Sequence, residues 1–336
     1  MKKILLLSLL VMLAAAPSFA KKREGYKKGV RKYEYKDGGV YVGGWSQYLR
    51  EGSGDMLWPD GRRYVGPFSQ DQMSGQGTLT WPDGNKYVGG FANNLKHGQG
   101  SMSWANGDSY EGGWEADKRH GRGKMVWSNG NRYEGDFVED RPSGQGVMTL
   151  ANGDKYEGGW VAGLQHGQGR VTLANGDSYE GGWVAGKKEG RGKVVLANGD
   201  RYEGEFVNNK MSGQGVMTWA DGERYEGGWE AGLKHGQGTA TLANGDVYVG
   251  QWVGGKRSGQ GSYTWKSGNK YEGGWVADKM EGDGVMTWVD GAKYVGGFEN
   301  DLRHGVGTMT WANGDRYEGA WRAGKSVGEG IMMWAN

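Results

Sequence analysis

A tyrosine recurs every 23 residues, at positions 41, 64, 87, 110, 133, 156, 179, 202, 225, 248, 271, 294 and 317, without insertion or deletion. A fixed period of this length restricts a chain to architectures in which each unit stacks on the next. Counting phases from that tyrosine as zero, phase two is always Gly and phase four is always Trp or Phe. Phases eleven and thirteen are Gly, as in Gly236 and Gly238. Phase seventeen is Trp or Leu in the complete copies, and phases nineteen and twenty read Asn-Gly or Asp-Gly, with Ser267-Gly268 the exception. All 17 Trp residues fall on phases four and seventeen.

Asn-Gly or Asp-Gly between two strand-like runs predicts a β-hairpin, because both residues tolerate the positive φ of a tight turn. Alternate residues of a strand share a face. Tyr225, Gly227 and Trp229 therefore point one way and Glu226 the other. A strict two-residue loop would put Trp219 and Tyr225 on opposite faces. A three-residue loop with a Gly bulge pairs Trp219 directly with Tyr225 and gathers the rings on one side, so it is the expected form. Phase fifteen is apolar or aromatic, with Met in eight copies, and joins that face. Glu, Thr and Lys take the other. The connection around Ala231 to Gly236 reads as a longer polar loop. Gly on the ring face leaves room for rings to lie flat across the sheet. One hairpin is marginal alone, so the expectation is an all-β, elongated, twisted single-layer array of antiparallel hairpins. At two strands per repeat it would be on the order of 120 Å long. The structural rings of such an array include Tyr110, Trp114, Trp127, Tyr156, Trp160, Tyr225, Trp229, Trp288 and Trp311.

The paired motifs YEGGW at 156–160 with HGQG at 166–169, and YEGGW at 225–229 with HGQG at 235–238, resemble the MORN-repeat family. The resemblance runs over 41–336. Departures are mild: the His of HGxG becomes Ser at 74, 143, 212 and 258, Glu at 51, 189 and 281, and Val at 327. The Glu after the Tyr becomes Val at 42, 65, 88, 249 and 295. The resemblance implies a non-catalytic array acting as a scaffold, a dimerisation rod or a membrane-associated module.

Residues 1–20 read differently. Lys2 and Lys3 precede an apolar run from Ile4 to Ala16, followed by small residues up to Ala20. This is the pattern of a bacterial-style secretory signal peptide cleaved after Ala20, which predicts a periplasmic or extracellular protein. With no Cys in the chain, an exported array has no disulfides and stands on packing alone. The whole chain carries +2, and removing the two leader lysines leaves 39 basic against 39 acidic residues. A neutral chain argues against nucleic acid as a partner. Residues 21–40 read as a basic leader and an N-terminal half-repeat cap, since Tyr35, Asp37 and Gly38 fall at phases seventeen, nineteen and twenty. Its cations Lys21, Lys22, Arg23, Lys27, Lys28, Arg31 and Lys32 are candidate contacts for anionic lipid head groups.

Three patterns in the chain resemble chemical sites without meeting their requirements. Residues 319–326 match the phosphate-loop pattern, but a strand follows where the mechanism needs a helix. The five histidines, at 97, 120, 166, 235 and 304, share phase ten. Equivalent positions about 10 Å apart cannot share a metal whose ligands lie about 2 Å away, so these read as turn histidines bonding the backbone. Eight identical Glu residues at phase one do not make one asymmetric acid–base pair. The expectation is a structural or protein-interaction scaffold in the cell envelope, without cofactor or metal. Its partner is another protein or a second copy. The alternative is an aromatic ligand-binding array for lipid or carbohydrate. Specificity should lie at phases five to nine, where the copies differ most.

Overall fold

A computed structural model describes residues 29–335. The signal segment and Lys21, Lys22, Arg23, Lys27 and Lys28 lie outside the described residues. Those described form twenty-eight strands, from β1 (Gly29–Glu34) to β28 (Lys325–Met333), in one open antiparallel sheet. Strands pair with their sequence neighbours, so the sheet grows by one hairpin per repeat. Among the described residues there is no helix.

The repeat opened by Tyr225 shows the local logic. β18 (Lys210–Thr218) pairs with β19 (Arg224–Glu230), and β19 with β20 (Leu233–Thr241). The Asp-Gly connection is a three-residue loop, closed by the Glu223 carbonyl accepting from the Trp219 N–H at 2.8 Å. Its register differs from the expected one: Tyr225 lies opposite Met217, not Trp219. The slip is two residues. A two-residue slip preserves faces in a period-two strand, so Trp219 still joins the ring face.

The other connection also departs from expectation. Glu230 pairs with Leu233, leaving only Ala231 and Gly232 in the turn, at φ 51° and 89°. Positive φ at both central positions defines the type I′ hairpin, whose twist matches the strands. The extra residues expected in that loop lie inside β20. His235, Gly236 and Gln237 face the single residue Gly228, forming a bulge. A Cβ on Gly228 would fall 2.2 Å from the His235 carbonyl oxygen, so this close approach requires glycine.

Side chains also tie successive repeats together along both edges. Beside the three-residue loops, a phase-twenty-one Asp or Asn accepts from a backbone N–H of the next loop, as Asp200 does from Ala220 at 2.9 Å. At the opposite edge Asp278 accepts from the Arg257 N–H at 2.9 Å and Asn209 from Lys188 at 2.8 Å. At the N-terminal end, β1 pairs with β2 (Val40–Ser46), placing Tyr33 opposite Tyr41. Its loop closes as in a full repeat, Tyr35 N–H to Gly39 O at 2.7 Å.

Candidate functional site

The sheet has two unlike faces. On one, each phase-zero Tyr meets the phase-four ring of its own repeat and that of the next, edge to face. Tyr225 lies 5.1 Å from Trp229 and 5.3 Å from Trp252. The contact repeats along the array, from Tyr41 and Trp45 to Tyr317 and Trp321. Each such pair contributes about 0.5–1.5 kcal/mol beyond its burial.

Glycine makes this ladder possible. A Cβ on Gly238 would lie 2.3 Å from the Tyr225 hydroxyl, so the phenol ring lies over Gly227 and Gly238. The hydroxyl then donates to the Gly228 carbonyl at 2.9 Å. Trp229 donates its indole N–H to the Gly215 carbonyl at 3.3 Å, bonding one repeat to the one before. Trp45, packed against Tyr33 of β1, has the one buried side-chain N–H without a partner among the described residues.

Phase-nine cations close the ladder from outside. Lys234 Nζ lies 4.7, 5.1 and 4.9 Å from the Trp219, Tyr225 and Trp252 ring centres, and 3.1 Å from Glu223. Arg257 stands 4.3 Å over Trp275 and Arg303 stands 4.2 Å over Trp321. Burial beside the rings lowers the basicity of Lys96 and Lys188. It also pushes the tyrosine hydroxyls up, those of Tyr64, Tyr110 and Tyr225 to about 12.

Tyr110, Trp114, Tyr156, Trp160, Tyr225 and Trp229 are therefore buried within their own sheet. A sugar or lipid could not stack on them. Trp127 and Trp288 at phase seventeen are half-buried and Trp311 is exposed, forming the rim of the ring face.

The opposite face is open and grooved. One groove, of about 1030 Å³, has Glu180, Arg191, Lys193, Arg201, Glu203 and Glu226 along a glycine floor. A second, of about 590 Å³, is lined by Gln237, Val249, Gln260, Glu272, Asp283 and Val295, with no cation in its wall. Phase one faces phase fourteen across strands, which pairs opposite charges at some middle repeats and sets Glu against Val at others: Glu134 lies opposite Lys124, Glu180 opposite Arg170 and Lys193, and Glu226 opposite Val216. Of the lipid-contact candidates described, Arg31 and Lys32 stand on edge strand β1, and Lys32 ion-pairs with Glu34 at 2.6 Å.

The histidines lie in the bulge and not in a turn. Three of the five reach carboxylates at phase five: His120 to Glu115 at 3.3 Å, His235 to Glu230 at 3.1 Å and His304 to Glu299 at 2.9 Å. Both kinds of repeat are bulged here, and the form of the bulge follows two positions in the sequence that motif reading passes over. Wherever phase three is Gly, phase ten is His or Glu. Where phase three is Pro67, Asp136, Glu205, Gln251 or Ala320, phase ten is Ser or Val. In four of these five the two positions pair directly, as Glu205 does with Ser212 and Gln251 with Ser258.

The phosphate-loop match resolves into hairpin. Gly319 lies in β27 (Arg316–Arg322), Ala323 and Gly324 make a two-residue turn, and Lys325 opens β28. There is no helix N-terminus to hold a phosphate.

The MORN-repeat family model matches thirteen times, from 41–62 through 317–336. The chain belongs to the MORN-repeat family. MORN repeats are non-catalytic modules that generally engage proteins or membrane lipids. No curated protein sequence matches the chain. Among solved structures, the TCP domain of Drosophila melanogaster SAS-4 (dCPAP), in complex with a proline-rich motif of Ana2 (dSTIL), aligns at 11% identity. That alignment covers 62% of this chain and 96% of that one, at a TM-score of 0.23. A mutant TCP10 domain of Danio rerio CPAP aligns at 9% identity, covering 84% and 99%, with a TM-score of 0.15. A streptogramin B lyase aligns at 11% identity, covering 80% and 90%, with a TM-score of 0.13.

Proposed function

We propose that this MORN-repeat protein is a non-catalytic, exported scaffold of the cell envelope that holds an extended segment of a partner protein along its open face. One observation carries the reading: the ring face is sealed by its own side chains while the opposite face stays grooved over a run of repeats. A glycine floor lets a second backbone approach closely, and flanking Glu, Arg and Gln side chains supply paired contacts. Charges of both signs along the groove suit selection among partners more than raw affinity.

The test is recovery of bound protein from an envelope extract by the wild type and by a variant carrying Arg191→Gln and Lys193→Gln, which removes both cations without setting like charges opposite each other. Both side chains line the groove and neither touches the ring ladder. The expected result is loss of bound partner at an unchanged melting temperature. Undiminished binding would refute the groove as the site.

Export rests on the sequence of residues 1–20. N-terminal sequencing of the purified protein should read from Lys21. A chain beginning at Met1 in the cytoplasm would refute export.

A further inference from the structure

Seven of the three-residue loops read Asn-Gly at phases nineteen and twenty, and all seven Asn residues are exposed. In six of them phase twenty-one is Asp, and it clamps the Asn amide. Asn244 accepts from the Asp246 N–H at 2.9 Å through Oδ1, and donates through Nδ2 to the Asp246 carboxylate at 2.9 Å. The same two bonds hold Asn106, Asn152, Asn175, Asn198 and Asn313. A hydrogen bond to an ionised acceptor is the stronger kind. The exception is Asn129, where phase twenty-one is Asn131. The Asn131 N–H donates to Asn129 Oδ1 at 3.0 Å, but position 131 offers Nδ2 no carboxylate. Nothing else sets this loop apart. The Gly130 N–H donates to the Trp127 carbonyl at 2.9 Å, as the Gly199 N–H does to Leu196 at 2.9 Å. Asp108 of the preceding repeat accepts from the Ser128 N–H at 2.8 Å, as Asp154 does from Ala174 at 2.8 Å.

We propose that Asn129 is a site of spontaneous deamidation, converted in the folded protein ahead of the six clamped asparagines. The Gly130 nitrogen gives up its proton and attacks Asn129 Cγ. The Cγ–Nδ2 bond breaks, and ammonia leaves with that proton. Water then opens the five-membered imide at either carbonyl, leaving aspartate or isoaspartate. Glycine at the following position has no Cβ to hinder the attacking nitrogen. To react, the side chain must turn Cγ toward that nitrogen, and in six loops this breaks the Nδ2 bond to Asp. The reaction also places negative charge on the side-chain oxygens, first in the tetrahedral intermediate and then in the product. In the clamped loops that charge grows beside the carboxylate at phase twenty-one, and like charges this close repel. At Asn129 it meets the Asn131 amide. The fold already holds the aspartate product in another repeat, as Asp83-Gly84-Asn85. There Asn85 donates to the Asp83 carboxylate from its N–H at 3.0 Å and from Nδ2 at 2.9 Å. Conversion of Asn129 to aspartate therefore completes a pair of bonds native to this loop, whereas conversion at the other six sets two carboxylates against each other. The site lies on the loop edge and is independent of the partner reading above.

Peptide mass spectrometry on the full chain, incubated folded in mildly alkaline buffer, follows the mass gain as each amide becomes an acid. Asn129 should convert several-fold faster than any of the other six. In denaturing urea, where the clamps are gone, the seven rates should converge. Two exchanges between residues native to phase twenty-one isolate the clamp. Asn131→Asp should slow Asn129 to the rate of the clamped sites, and Asp200→Asn should speed conversion at Asn198. Both exchanges keep the bond to the next loop, since Asn131 accepts from the Ala151 N–H at 2.9 Å as Asp200 does from Ala220 at 2.9 Å. An unchanged circular dichroism spectrum checks that each variant folds. The proposal is overturned if Asn129 does not lead in the folded protein or if no site converts. It is equally overturned if the lead persists undiminished in urea, or if either exchange leaves its rate unchanged.

Discussion

At the scale of a residue, the repeat depends on one phenol ring lying across two glycines. The Tyr225 ring occupies the space that a Cβ on Gly227 or Gly238 would take, and its hydroxyl bonds the Gly228 carbonyl. Glycine costs a strand about 0.5–1 kcal/mol of conformational freedom relative to alanine. Here the missing Cβ admits an aromatic contact on each side, which offsets that cost. Gly238→Ala should therefore destabilise the protein despite alanine's better backbone entropy. The expected loss is about 1–3 kcal/mol, typical of overpacking, and is measured by urea denaturation. A neutral or stabilising result would mean the ring can leave its place without penalty.

At the scale of an element, the bulge in β20 depends on two positions acting together. Gly228 lets the His235 carbonyl approach, whereas Glu205 at the same phase pairs directly with Ser212. The two forms are alternative ways of crossing the same strand pair. Gly228→Glu alone should cost about 1–3 kcal/mol through overpacking. Adding His235→Ser should recover part of it, because the double variant matches the Glu205–Ser212 arrangement. A double-mutant cycle on urea midpoints reads a coupling of about 0.5–3 kcal/mol for residues in contact. Additive losses would show that the sequence correlation has another origin.

At the scale of the molecule, stability follows the sum of many equal neighbour contacts along one direction. That regularity multiplies any property shared by every repeat. The buried tyrosines are the clearest case. A free tyrosine ionises near its ordinary 10.0, while burial holds Tyr64, Tyr179 and Tyr248 to about 12. Because the folded value is the higher, the stabilisation from the neutral rings is fully present below pH 10.0. It is lost as pH climbs from there through about 12, where unfolded tyrosine binds fewer protons. Urea midpoints should stay level through neutral pH and fall steeply above pH 10.0, with many rings titrating together. A midpoint unchanged as far as pH 12 would contradict the burial of the phenol row.

Much of this was legible in the chain before folding. A 23-residue period, strict alternation from Tyr225 through Gly227 to Trp229, and an Asp-Gly or Asn-Gly turn in nearly every repeat determine a hairpin array with its rings on one face. Those signals are local. Side-chain period and turn chemistry act within a few residues, so the sequence carries them directly. The two-residue turn at Ala231-Gly232 was not legible, because Ala favours negative φ and takes 51° only where both flanking strands are already paired. The Met217–Tyr225 register was hidden for a related reason: a shift of two residues leaves every face unchanged, so periodicity does not resolve it. Tertiary structure alone decided which face is sealed. Lys234 and Arg257 look like ordinary surface cations in the chain, and only stacking of the next repeat brings Trp252 and Trp275 beneath them. Closing the ring face in this way leaves the glycine-floored side as the face open to solvent.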